Sequence, residues 1–176
     1  MRIFALRLTL LSLALTLACG DDTGPNDRAP VFAARLDAQS WPSDTALAIA
    51  FGAPAETTLS VTAARTVSSA QEQEISLALH GFTGPGVATL GDSTAAGIGS
   101  FAILQISGGV VTATTVYRSL ASVPGTVTIT RLNRADSTVS GTFAFEAALT
   151  PDTAPHRHIA GSFTLRLGFV QVFPAP

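Results

Sequence analysis

Three histidines and a scatter of carboxylates are the groups from which a reaction centre in this chain would have to be built. His156-Arg157-His158 sets two imidazoles two residues apart, and alternate residues of an extended strand project to one face. Such a pair can grip Zn²⁺ or Cu²⁺ when a third ligand converges, and His80 and Asp152 are the candidates. The spacing places no carboxylate to orient either ring. The pair therefore reads as two exposed histidines at the edge of the loop 151–155, and no metal or other cofactor is expected. Glu72 and Glu74 would be paired carboxylates for glycoside hydrolysis, but they lie in the polar stretch 66–74, read as a solvated loop or one short turn of helix. Glu146, on the outer face of a Phe-rich strand, is better placed to line a cleft. Trp41 and Tyr117, the single Trp and Tyr, are the residues that would stack on a sugar ring. Trp41, just before Pro42 at a strand end, is more simply read as a core plug or lid. Gly91-Asp92-Ser93-Thr94 has the Gly-Asp-Ser order of some esterases but lacks their Asp-x-x-His block, and Gly97-Ile98-Gly99-Ser100 lacks the third glycine of a dinucleotide fingerprint. No catalytic set assembles, so the sequence predicts no enzyme.

The elements that must carry these residues are strands. Apolar residues alternate with Thr, Ser and Ala in run after run. One face is Phe32, Ala34, Leu36; the next are Leu47, Ile49, Phe51 and Leu59, Val61, Ala63; then come Ile75, Leu77, Leu79, followed by Val127, Ile129, by Phe143, Phe145 and by Phe163, Leu165, Leu167, Phe169. Gly84-Pro85-Gly86, Gly108-Gly109 and Pro124-Gly125 separate the runs with turn chemistry. Residues 126–148 read as a hairpin around the polar loop 133–137, and 156–173 as a further antiparallel strand, bulged at Gly168. Residues 92–107 are the least legible. Ser140-Gly141-Thr142-Phe143 and Ala160-Gly161-Ser162-Phe163 look alike, which two neighbouring strands explain more simply than a repeat. The expected fold is all-β: an antiparallel β-sandwich or small barrel, between which periodicity does not choose.

The chain's one cysteine gives the address. Arg2 and Arg7 precede an apolar stretch over 8–17, and Leu15-Thr16-Leu17-Ala18-Cys19-Gly20 follows. This is a charged start, a short apolar segment and small residues at the cut, too short for a membrane span. It resembles a bacterial lipoprotein lipobox, with Thr16 as its one departure, and implies that Cys19 becomes the acylated first residue. Gly20 rather than Asp after the cysteine favours the outer membrane. The expected organisation is a signal peptide over 1–18, the lipidated Cys19 with a tether over 19–30, and one domain over 31–176.

Removing 1–18 leaves 158 of 176 residues, enough for one domain with its own core. Eight arginines face twelve carboxylates, a net of −4, and there is no lysine. No basic patch for nucleic acid or for an anionic membrane surface can form from that inventory. The mean hydropathy of +0.40 comes with no stretch after residue 19 apolar for long enough to span as a helix.

The series Gly125-Thr126-Val127-Thr128-Ile129-Thr130, Val139-Ser140-Gly141-Thr142-Phe143-Ala144-Phe145 and Ile159-Ala160-Gly161-Ser162-Phe163, after the opening Phe32 to Trp41, resembles a family of small bacterial lipoproteins of unknown function. The resemblance spans residues 31–165. It implies a lipid anchor and an all-β domain, and carries over no catalytic residue. The expected role is a membrane-anchored envelope lipoprotein acting as a non-enzymatic binding or assembly module. Its partners would be the bilayer, through the Cys19 acyl chains, and an envelope protein, glycan or lipid. A carbohydrate- or lipid-binding domain using Trp41 or Tyr117 is the alternative, and a metal enzyme built on His156 and His158 follows it.

Overall fold

The structure, a computed structural model, describes residues 31–51, 57–91, 95–133, 135–149 and 155–170. The signal segment, Cys19 and the tether lie outside the described residues, as do Asp92, Ser93, Thr94 and Asp152.

The described chain is all-β, with no helix. Its strands are β1 (Val31–Leu36), β2 (Gln39–Pro42), β3 (Thr45–Phe51), β4 (Thr58–Ser68), β5 (Gln71–Leu79), β6 (Gly86–Leu90), β7 (Gly97–Ser107), β8 (Val110–Ser119), β9 (Gly125–Asn133), β10 (Thr138–Ala148) and β11 (Arg157–Val170). Eight of them, in the order β11-β3-β4-β5-β7-β6-β9-β10, close back on β11, so the fold is a barrel. Neighbours are antiparallel except β11–β3 and β6–β7. The β1–β2 hairpin adds to the outer edge of β11, and β8 adds to β7 and touches β10 at its end.

Closure has a definite stagger. From Phe169 opposite Ala50, the register passes through Leu59, Leu79, Gly97, Leu90 and Gly125. Gly125 lies against Phe145, which pairs with Ile159, so the circuit returns to β11 ten residues above its start, at 159 rather than 169. Eight strands with that stagger leave an interior that side chains can fill. They do: Phe32, Phe101, Phe143, Phe145 and Phe163 are each at most 7% exposed, and their ring contacts lie between 5.5 and 6.5 Å.

The two similar tetrapeptides are cross-strand partners. Gly141 pairs with Phe163, and Phe143 pairs with Gly161. Each glycine leaves the room that the opposite ring occupies: a Cβ on Gly141 would stand 2.8 Å from the Phe163 ring, and one on Gly161 2.7 Å from the Phe143 ring. The inward faces of β1, β4, β5, β9, β10 and β11 are those the alternation predicts.

Three expectations are corrected. β3 turns Ala48 and Ala50 inward, and Leu47 is 48% exposed. Ala48 and Ala50 stand opposite Val61 and Leu59, so small residues meet large ones across that part of the core. Residues 66–74 form neither loop nor helix. They are the tip of the β4–β5 hairpin, turning at Ser69-Ala70. No register shift occurs at Gly168, where β11 pairs regularly with β3.

Candidate functional site

The site begins at a two-residue turn. Asp37 and Ala38 join β1 to β2 with φ of 51° and 66°, the paired positive values of the tight hairpin turn whose twist matches its strands. That conformation sets Asp37 against the start of β11. Its Oδ2 accepts from Arg157 Nη1 at 2.5 Å, its Oδ1 accepts from the His158 amide at 2.9 Å, and its own amide donates to the His158 carbonyl at 2.8 Å. The Arg157 guanidinium lies 5.9 Å from the centre of the Tyr117 ring.

With its backbone held on one side, His158 faces Glu146, its register partner on β10. His158 Nδ1 and Glu146 Oε1 are 2.8 Å apart. A carboxylate there selects the Nδ1–H form and leaves Nε2 for another group. The two side chains are 53% and 33% exposed, so the pair orients the ring more than it stabilises the fold; exposed pairs contribute about 0–1 kcal/mol.

Glu146 and His158 form the polar rim of a recess of about 290 Å³. Val123, Pro124, Gly125, Ala144 and Phe145 supply its apolar wall, and Thr126 adds a hydroxyl. Gly125 is required in that wall, since a Cβ there would collide with Phe145. An apolar wall with a few converging polar groups is the usual make-up of a ligand site.

The remaining candidates are placed elsewhere or differently. Trp41 is 1% exposed, with Phe32 at 6.2 Å, the Arg65 guanidinium at 6.0 Å and its Nε1–H donating to Gln73 Oε1 at 3.0 Å. It is a core residue and offers no open face to a sugar. Tyr117 is half-buried between Phe101 and Arg157, and its stacking partner is that guanidinium. His156 is exposed just ahead of β11. His80 lies beside Thr58 at the far end of β5 and does not join His156 and His158. Among the described residues no three His, Cys, Asp or Glu side chains gather around a common point. Glu72 and Glu74 stand two apart on the outward face of β5 rather than in a loop; burial first, and the charge of Glu72 second, raise the Glu74 carboxyl above its ordinary pKa of 4.5.

Residues 28–165 match the family model described as Domain of unknown function (DUF6252). No curated protein and no solved structure matches the chain.

Proposed function

We propose, for a chain that belongs to the DUF6252 family of unknown function, that it is a lipid-anchored protein of the bacterial cell envelope whose barrel binds a ligand or partner without transforming it. The anchor is the Cys19 diacylglycerol and N-acyl chain. At about 0.8 kcal/mol per buried methylene, several chains hold a protein on a membrane permanently. Residues 20–30, rich in Asp, Gly and Pro, hold the barrel off the lipid, and Gly20 favours the outer membrane.

The observation that carries the binding role is the Glu146–His158 pair, oriented through Asp37, at the rim of an apolar recess. The barrel axis is filled with aromatic rings, so a ligand meets the outside of the wall. A shallow recess with a carboxylate and an imidazole at its rim suits a hydroxyl-bearing ligand such as a glycan. A lipid chain would need a deep apolar cavity.

The test is thermal shift of the acylated protein in detergent against metal ions, glycans and lipids, with His158→Ala and Glu146→Gln beside the wild type. One ligand class should give a saturable rise in Tm that both variants lose. A rise that the variants retain, or none with any class, removes the recess as the binding surface.

A further inference from the structure

The recess beside His158 is short of hydrogen-bond donors. The nearest N–H groups are already engaged: the Arg157 guanidinium and the His158 amide both donate to Asp37, and His158 Nδ1–H donates to Glu146. Two side-chain atoms at the rim are left with lone pairs, Glu146 Oε2 and His158 Nε2, and among the described residues nothing bonds to either. With the imidazole neutral, Glu146 is the one charge among the described lining residues, and Thr126 is the remaining polar side chain. Thr126 stands opposite Ala144 on β10, so it is the diagonal neighbour of Glu146. Such neighbours lie roughly 7–8 Å apart. Arg35 and Arg118, exposed on the flanking strands, are not among the described lining residues.

A ligand for this rim must bring the donors itself. A hydroxyl supplies one N–H or O–H bond at most, whereas an amine supplies several and, when protonated, the positive charge that strengthens a bond to a carboxylate. We propose that the recess binds an amino sugar through its free amine, which donates to Glu146 Oε2 and to the lone pair of His158 Nε2. The C–H face of the ring lies on the exposed wall formed by Val123 and Pro124, and a ring hydroxyl reaches Thr126 on the other side. One ring bridges the diagonal from Glu146 to Thr126. A lysine side chain carries the same amine, but it has neither a hydroxyl for Thr126 nor a flat apolar face for that wall. The inference rests on the recess as a glycan site and adds which glycans it selects, those with an unacylated amine.

The test is calorimetric titration of the acylated protein, in neutral detergent at pH 7 and about 0.15 M salt so that distant charges are screened. The probes are three β-1,4-linked trisaccharides that differ only at the 2-position: the trimers of glucosamine, N-acetylglucosamine and glucose. The glucosamine trimer should bind about tenfold more tightly than the other two, the size of effect a hydrogen bond to a charged group supplies. Glu146→Gln should abolish that preference. Glu72→Gln, which removes an equal charge on β5, should leave it intact. Equal affinities for the three trimers, all lost in Glu146→Gln, would leave the glycan reading standing and overturn the selection for an amine. A preference that survives Glu146→Gln, or falls equally in Glu72→Gln, overturns it as well. Trilysine should bind no better than the glucose trimer; if it matches the glucosamine trimer, the recess takes peptide amines and the sugar is overturned. Binding by none of the trisaccharides would remove the glycan reading and this inference together.

Discussion

At the scale of residues, the turn at Asp37-Ala38 is the point from which the recess is held, and it contains a mismatch. Asp tolerates a positive φ, but Ala38 holds φ of 66° with a Cβ in the way. Ala38→Gly should therefore raise stability by about 1 kcal/mol, less the entropy that glycine adds to the unfolded chain. For a domain of this size that is a rise in Tm, at most roughly 2–4 °C; an unchanged or lower Tm would show that the turn is unstrained. Glu74 gives a second prediction. A carboxyl whose folded pKa lies above its unfolded value binds its proton more tightly in the folded chain. Its contribution then favours folding at acid pH and turns unfavourable as pH rises from 4.5 through the raised folded value. Glu74→Gln should be more stable than wild type at pH 7, and the difference should vanish by pH 4; a constant difference across that range would contradict the assignment. Little of this was legible in the sequence. Glu146 and His158 could be singled out by type, but Asp37 meets Arg157 and His158 across separations of 120 and 121 residues, which no local spacing encodes.

At the scale of elements, alternation was informative wherever large residues occupied one face, as in Ile75, Leu77 and Leu79. It misled in β3, where Leu47 and Ile49 look like the core face. What decides there is the register with β4, which puts Ala48 and Ala50 opposite Val61 and Leu59. The stretch 66–74 misled for a related reason: its one large apolar residue, Val67, is exposed and its inward Gln73 bonds Trp41, so a hairpin tip carries no apolar alternation. The β10–β11 pair shows what the sequence did encode. The two Gly-small-Phe segments interlock, each glycine under the other strand's ring. Gly161→Ala should destabilise by about 1–3 kcal/mol, because the added Cβ meets the Phe143 ring and the Ala33 carbonyl, and a backbone oxygen cannot step aside. Gly168→Ala, on the same strand, meets nothing closer than 3.8 Å and should be nearly neutral. Denaturant midpoints of the two variants make the comparison; equal losses would show that close packing at Gly161 is not the cause.

At the scale of the molecule, the choice between sandwich and barrel lay beyond the sequence, because closure depends on a stagger accumulated over eight pairings rather than on any one strand. Once closed, the barrel fills its axis with phenylalanines, and the recess beside His158 lies on its outer wall. In the proposed role the barrel is held on a membrane, and that anchoring is the claim on which the cellular role rests. The most direct measurement is the intact mass of the chain extracted from membranes of the organism that makes it. The account predicts a chain beginning at Cys19 and heavier than its 158 residues by a diacylglyceryl and an N-acyl group. An unmodified mass, or a chain cut elsewhere and recovered in the soluble fraction, would contradict it.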